Sequence, residues 1–355
     1  MPSSVPRRAL LAALATSSAA GMPVAGALAA APLPGAPPPP ALAESWRHFR
    51  QAFLRPEGRV VDTGNQGVSH SEGQGWALYC AERCGDRDSF DRIWGWTRQV
   101  LARPRDSLLA WRYMPGGLTP VPDRNNAADG DLFAAAALLL AGQRWGDAAY
   151  TEAGAAIARD VLRLLLREVA GGTVLLPALH GFEEADHVVL NPSYYAFPIF
   201  GVLARAVPDP AWLRLARDGL ALLRRARFGR WSLPPDWLSL RRADGALALP
   251  PRWPGRFSYD AVRVPLYLCW AGLEDEAPVQ AARRFWADPG HAYWPAWVDL
   301  TGNRNATYPA SSGMQEIGRW VLELGGYRAG VSGSLPRQDD YYSNVLKMLI
   351  LSAKI

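Results

Sequence analysis

Lysine is almost missing from this 355-residue chain: Lys347 and Lys354 are the only two among 38 basic residues. The others are arginines scattered among 33 acids, so the formal charge of +5 does not gather into a phosphate-binding face. No basic run carries interleaved aromatics, and nucleic acid is set aside as a partner. The densest basic stretch, Arg224-Arg225-Ala226-Arg227, reads as a helix C-terminus, where cations complement the macrodipole. Cysteine and histidine are nearly as scarce, at three and five. With no Cys-x-x-Cys or His-x-x-x-His, the spacing that holds a metal is lacking, and no metal or organic cofactor is expected. Cys80, Cys84 and Cys269 read as small buried hydrophobes. The apolar run Ala9 to Ala20 is too short to span a bilayer. No βαβ alternation appears, which excludes a parallel-sheet architecture.

What is present is an ample supply of core: 49% hydrophobic residues against 20% charged. Fifteen Trp and twelve Tyr exceed what packing alone calls for, and flat rings also suit a groove that stacks on flat ligand faces. Arg7-Arg8 before Ala9 to Ala20, with the small residues Ala27-Leu28-Ala29 beyond, have the form of an export leader over residues 1–29. Its loss near Ala29 takes the charge to about +3. The Arg pair leaves Sec and twin-arginine routes both open. A stiff Pro/Ala-rich spacer over 30–43 leads to a single domain over 44–355, placed in the periplasm or outside the cell.

From Trp46 onward, apolar spacings of three and four predict helices over 44–54, 72–84, 87–102, 130–143, 148–168, 193–206, 210–227, 259–273, 276–287, 313–324 and 339–352. Leu132 to Leu140 is apolar nearly all round, as in a helix buried on both sides. Roughly eleven helices without βαβ units point to an all-α toroid of helical hairpins, its inner helices wrapped by outer ones. Thr173 to Leu176 reads as part of a loop hairpin.

Three acidic stretches then stand out. In Ser71-Glu72-Gly73-Gln74-Gly75, Ser71 and Gln74 have the spacing of a capping box, which puts Glu72 in a first helical turn. The two glycines let a ligand approach the backbone. Asn125-Asn126-Ala127-Ala128-Asp129-Gly130-Asp131 and Ser258-Tyr259-Asp260-Ala261-Val262-Arg263 repeat the theme at two more helix starts. Singly, each acid is an ordinary first-turn or capping residue. If all three open inner helices of one ring, they line one cleft. Paired carboxylates among aromatics are what glycosidic hydrolysis requires, one protonated and one ionised. A helix N-terminus lowers a carboxyl pKa, so Glu72 as an acid has to be pushed back up by burial, by Trp76 and by neighbouring negative charge.

These motifs, with Trp145, Asn191-Pro192-Ser193-Tyr194-Tyr195, Asp340-Tyr341-Tyr342 and Glu57-Gly58-Arg59-Val60, resemble glycoside hydrolase family 8 over about residues 44–350. Within it, the likeness is to the periplasmic endoglucanases associated with bacterial cellulose synthase. The resemblance implies an (α/α)6 barrel and inverting hydrolysis of internal β-1,4 bonds in cellulose, during editing of the nascent polymer. It makes a β-1,4-glucan the substrate and a cellulose synthase complex a possible neighbour. By position, Glu72 is the general acid, Asp260 the base, and Asp129 the acid that binds and distorts the sugar; Arg263 orients Asp260. Tyr194, Tyr195, Trp111 and Tyr342 are sugar contacts in the same reading, or else core rings. Ala128 departs from the family's usual hydroxyl residue. Two alternatives stay open: the same chemistry on chitosan, xylan or lichenan, with Glu183, Glu184 and Asp186 as acids toward cationic chitosan, or a silent glycan-binding protein on the same toroid.

Overall fold

A computed structural model describes residues 22–29, 35, 37–326 and 340–354. Arg7-Arg8 and the apolar run of the expected leader lie outside these residues. Twelve α-helices occur among the described residues. They are α1 (Met22–Ala29), α2 (Pro40–Phe53), α3 (Ser71–Arg83), α4 (Arg87–Val100), α5 (Ala128–Trp145) and α6 (Ala148–Leu165), then α7 (Phe197–Ala206), α8 (Pro210–Arg225), α9 (Arg263–Trp270), α10 (Ala277–Trp286), α11 (Ser312–Leu324) and α12 (Tyr341–Ala353). The helix expected from residue 44 begins at Pro40, inside the stretch read as spacer, and its Leu42 is fully buried.

Contacts run α3–α5–α7–α9–α11–α12 and back to α3, a closed inner ring. Outside it, α2 packs on α12, α4 on α3, α6 on α5, α8 on α7 and α10 on α9 and α11. From α2 to α11 the chain alternates outer and inner helices and α12 closes the inner ring, the toroid that the periodicity implied and the (α/α)6 barrel that the resemblance implied. The apolar run in α5 is the clearest case: Leu132 to Leu138 are all fully buried between α3 and α6. α1 lies against α7 and α8. No described helix is long and apolar enough to cross a membrane.

The strands are short and belong to loops. β1 (Ser69–His70) pairs with β2 (Arg112–Tyr113), and β3 (Leu166–Val169) with β4 (Gly172–Leu175) in the expected hairpin. β5 (His187–Leu190), β6 (Leu238–Arg241) and β7 (Leu247–Ala248) form one antiparallel sheet, and β8 (Arg256–Phe257) pairs with β9 (Val298–Asp299). β1 and β8 each lead within a few residues into an inner helix, so the sheets aim the segments that enter the ring.

Several outer and inner helices differ at their starts, although inner α12 is capped by Asp340 and outer α2 and α10 have no side-chain cap. α4, α6 and α8 are capped by Asp86, Asp147 and Asp209, whose side chains accept from the first-turn N–H groups. α3, α5, α7, α9 and α11 have no side-chain cap. Their open N-termini and the acids beside them are left to face a common space.

Candidate active site

The capping box expected at Ser71 does not form. His70 occupies the N-cap position of α3 without a side-chain bond. Gln74 turns inward instead, accepting from Val60 N–H at 2.6 Å and donating to the Gly58 carbonyl at 3.2 Å and Thr97 Oγ1 at 2.7 Å. A buried amide with three partners ties the 58–60 loop to α3 and α4, which outweighs a cap in competition with solvent. Neither do the glycines admit a ligand. A Cβ on Gly75 would stand 2.9 Å from the Gly130 carbonyl, and one on Gly130 2.5 Å from Ser71 Oγ. They let the first turns of α3 and α5 touch, which brings Glu72 and Asp129 together.

Asp260 lies in the turn just before α9, which starts at Arg263, later than the start expected at residue 259. Arg263, in the first turn of α9, reaches across the ring and collects all three acids. One guanidinium nitrogen, Nη1, donates to Glu72 Oε1 and to Asp129 Oδ2 at 3.3 Å. The other, Nη2, donates to Asp260 Oδ1 at 2.7 Å and Ser193 Oγ at 2.9 Å. Arg263 and Asp129 are 2% exposed, whereas Glu72 and Asp260 keep 24% and 33% and so face the open space. The guanidinium is flanked by the rings of Trp76 at 5.2 Å and Tyr194 at 6.0 Å.

One cation against three carboxylates leaves a surplus of negative charge, and a proton resolves it. Burial and the Glu72 charge push Asp129 well above the usual carboxylate range. Burial also works to raise Glu72, but the Arg263 guanidinium and a hydrogen bond from Asp129 outweigh it and hold Glu72 below its ordinary value. The expectation that burial against Trp76 keeps Glu72 high is therefore corrected. These directions make Asp129 the readier of the two to hold a proton, with Glu72 as its hydrogen-bond partner. Asp260 is raised by burial, although Arg263 and Asn191 pull it back down.

The predicted aromatics separate. Tyr194 lines a hollow of about 280 Å³ beside the acids, shared with Trp111, Asn125, Phe182, Trp237 and Trp253. There Phe182, Trp237 and Trp253 stack near-parallel, their centroids 5.2–6.0 Å apart. Trp111 stacks on His70 and donates its indole N–H to Asp123 at 2.8 Å. Tyr342 lies on the opposite side of the ring, its hydroxyl donating to the Tyr259 carbonyl at 2.5 Å. The exposed rings of Tyr259 and Tyr308 extend that side. Tyr195 is not brought to the site: it is 1% exposed, packs on Phe200 and Gly219, and its hydroxyl accepts from Leu175 N–H at 3.2 Å. It belongs to the core.

Sequence reasoning passed over Phe182, Trp237 and Trp253, which come from three separate loops, and gave no role to Ser193 and Asn191 despite quoting their motif. The local signal for the latter pair was the Asn-Pro-Ser turn, where Asn191 Oδ1 accepts from Ser193 N–H at 3.0 Å.

The model of the glycosyl hydrolases of family 8 matches residues 5–355. A probable endoglucanase of Novacetimonas hansenii is 43% identical over 318 residues, covering 90% of this chain and 92% of the relative. The structure of the endo-β-1,4-glucanase of Acetobacter xylinum superposes with a TM-score of 0.82 at 42% identity, over 88% of this chain and 98% of the other. An endoglucanase of family 8 from Klebsiella pneumoniae gives 0.81 at 37% identity over 88% and 98%. A likeness that runs nearly end to end in both sequence and structure leaves no part of the barrel to another lineage, and the chain belongs to glycosyl hydrolase family 8.

Proposed function

We propose that the protein is an inverting endo-β-1,4-glucanase acting on cellulose or its soluble derivatives. The observation that carries this is Arg263, which holds Glu72 and Asp260 on opposite guanidinium nitrogens. Two hydrogen bonds and the width of a guanidinium let the carboxyl groups stand up to roughly 7 Å apart. Inversion requires about 6.5–9.5 Å, so that a water fits between the base and the anomeric carbon. Aromatic rings flank the acids on both sides of the ring, which suits a chain passing through, cut internally.

In this reading a glucan lies across the site with its scissile oxygen at Glu72. Asp260 takes a proton from water as the water oxygen bonds to the anomeric carbon. Glu72, receiving the proton held with Asp129, delivers it to the departing oxygen. Asp129 and Tyr194 contact the sugar at the cleavage point, Arg263 sets the spacing of the acids, and Trp111 and Tyr342 bind the chain on either side. Cationic chitosan is disfavoured, because Glu183 is paired with Arg167 and Arg242, and Asp186 with His187. Release of reducing ends from carboxymethylcellulose, beside chitosan and xylan, tests the substrate, and proton NMR of the first product tests inversion. Turnover of another polymer alone would replace cellulose; a β-configured first product would remove the mechanism.

A role in editing nascent cellulose beside a synthase complex, and export of a domain spanning about 44–355, rest on the resemblance and on the leader pattern at residues 7–29. The N-terminal sequence of protein purified from its native cell tests the export reading.

A further inference from the structure

Asp236 belongs to the segment Pro234-Pro235-Asp236-Trp237, ahead of β6, and is buried. Its Oδ1 accepts two backbone N–H groups, from Ser258 at 3.0 Å and from Ala261 at 2.8 Å. Its own N–H donates to the Arg256 carbonyl at 2.7 Å. The two accepted bonds bracket Asp260: one lies two residues before it, the other one residue after. The turn 258–261 falls between the end of β8 and the start of α9, so neither ladder takes up these two donors. Left unpaired beside a buried wall they would cost free energy and free the turn to move. Two successive prolines fix the backbone leading to Asp236, so the clamp itself is stiff.

We propose that Asp236 is a positioning residue that holds the 258–261 turn so that the Asp260 carboxylate is aimed at the attacking water. This rests on Asp260 being the base. The hydrogen bonds of Asp236 go to the backbone of Ser258, Ala261 and Arg256, so it acts on the reaction by holding the turn. Burial and the charge of Asp260 push it up to about 7. Oδ1 stays an acceptor in either protonation state, and an amide oxygen at the same place serves equally.

The test compares wild type with D236A, D236N and D236E on a soluble cello-oligosaccharide, with D260N as the control for the base. A displacement on the order of 1 Å at a reacting group costs about 100-fold. D236A should lose that much in kcat with KM within about twofold, and D236N should return to within about fivefold of wild type. Affinity of cellopentaose, measured by calorimetry in the E72Q background, should be unchanged by D236A. D236E, which keeps the charge but moves the oxygen by one methylene, should lose about tenfold in kcat and keeps the question answerable if D236A does not fold. Wild-type kcat in D236A or D236E, equal losses of kcat and cellopentaose affinity, or a D236N as poor as D236A would each overturn the proposal. Turnover by D260N would instead overturn the assignment of the base.

Discussion

Helices α3 and α5 carry a buried ionic cluster at each end, and the two clusters are opposite in composition. At the N-terminal end, Arg263 faces Glu72, Asp129 and Asp260. At the C-terminal end, Glu82, fully buried, accepts from Arg83 Nε at 2.6 Å and from Arg144 Nε at 2.8 Å. Two cations on one carboxylate lock the two helices together. Three carboxylates on one cation favour a proton among them, with Asp129 pushed well above the usual range, and a proton so held can be given away. The stoichiometry of charge, more than burial, separates a structural site from a chemical one.

The largest effect expected is from Glu72→Gln, which removes the proton donor: about 10³-fold in kcat, with cello-oligosaccharide binding and melting temperature retained. An active Glu72→Gln enzyme would collapse the contrast between the two ends. Glu82→Gln should behave in reverse. Removing the carboxylate takes the acidic partner from Arg83, which is 2% exposed, and should cost about 3 kcal/mol in denaturant unfolding. The kcat of the folded fraction should stay at the wild-type value. Asp129→Asn should lower kcat by about 100-fold and pull the alkaline limb of the pH–rate profile to lower pH. The sign follows from the proton's residence: Asp129 lies above the usual range and stores it, while Glu72 alone, held low by Arg263, surrenders it sooner. An unmoved alkaline limb would place the proton elsewhere.

The positions of the acids were legible because each sits at a local boundary, where polar or glycine-bearing sequence meets an apolar helix. The all-α class was legible too, since helical spacing repeats without βαβ alternation. What was misjudged depends on contacts far along the chain. Ser71 and Gln74 fit a capping box locally, but the partners of Gln74 are 14 to 23 residues away. Tyr194 and Tyr195 are adjacent, and only the packing of α8, through Gly219, decides which of them turns inward.

The smallest effect concerns stability at rest. Burial pushes Asp131 up to about 8, despite hydrogen bonds from Leu109 N–H and Asn126. An unfolded Asp titrates near ~3.9, so between there and 8 the native state binds more protons than the unfolded one. This contribution is complete at acid pH and declines as pH rises through 8. Melting temperature should fall modestly over that range, and Asp131→Asn should flatten the slope. A slope unchanged in the variant would show that Asp131 is ionised in the native state.

The platform of Phe182, Trp237 and Trp253 is assembled from three loops, whereas the acids are fixed to helix starts. Such a division resembles interchangeable tooling on a fixed spindle: loops can be exchanged to change which polymer is gripped while the cutting edge stays in place. Residues 236 and 237 break the modularity. Trp237 lines the hollow beside the acids and its neighbour Asp236 holds the turn of Asp260. A graft of that loop would transplant part of the machinery together with the grip, and the Trp253 loop runs on into β8 and the same turn, which leaves the Phe182 loop as the one set apart.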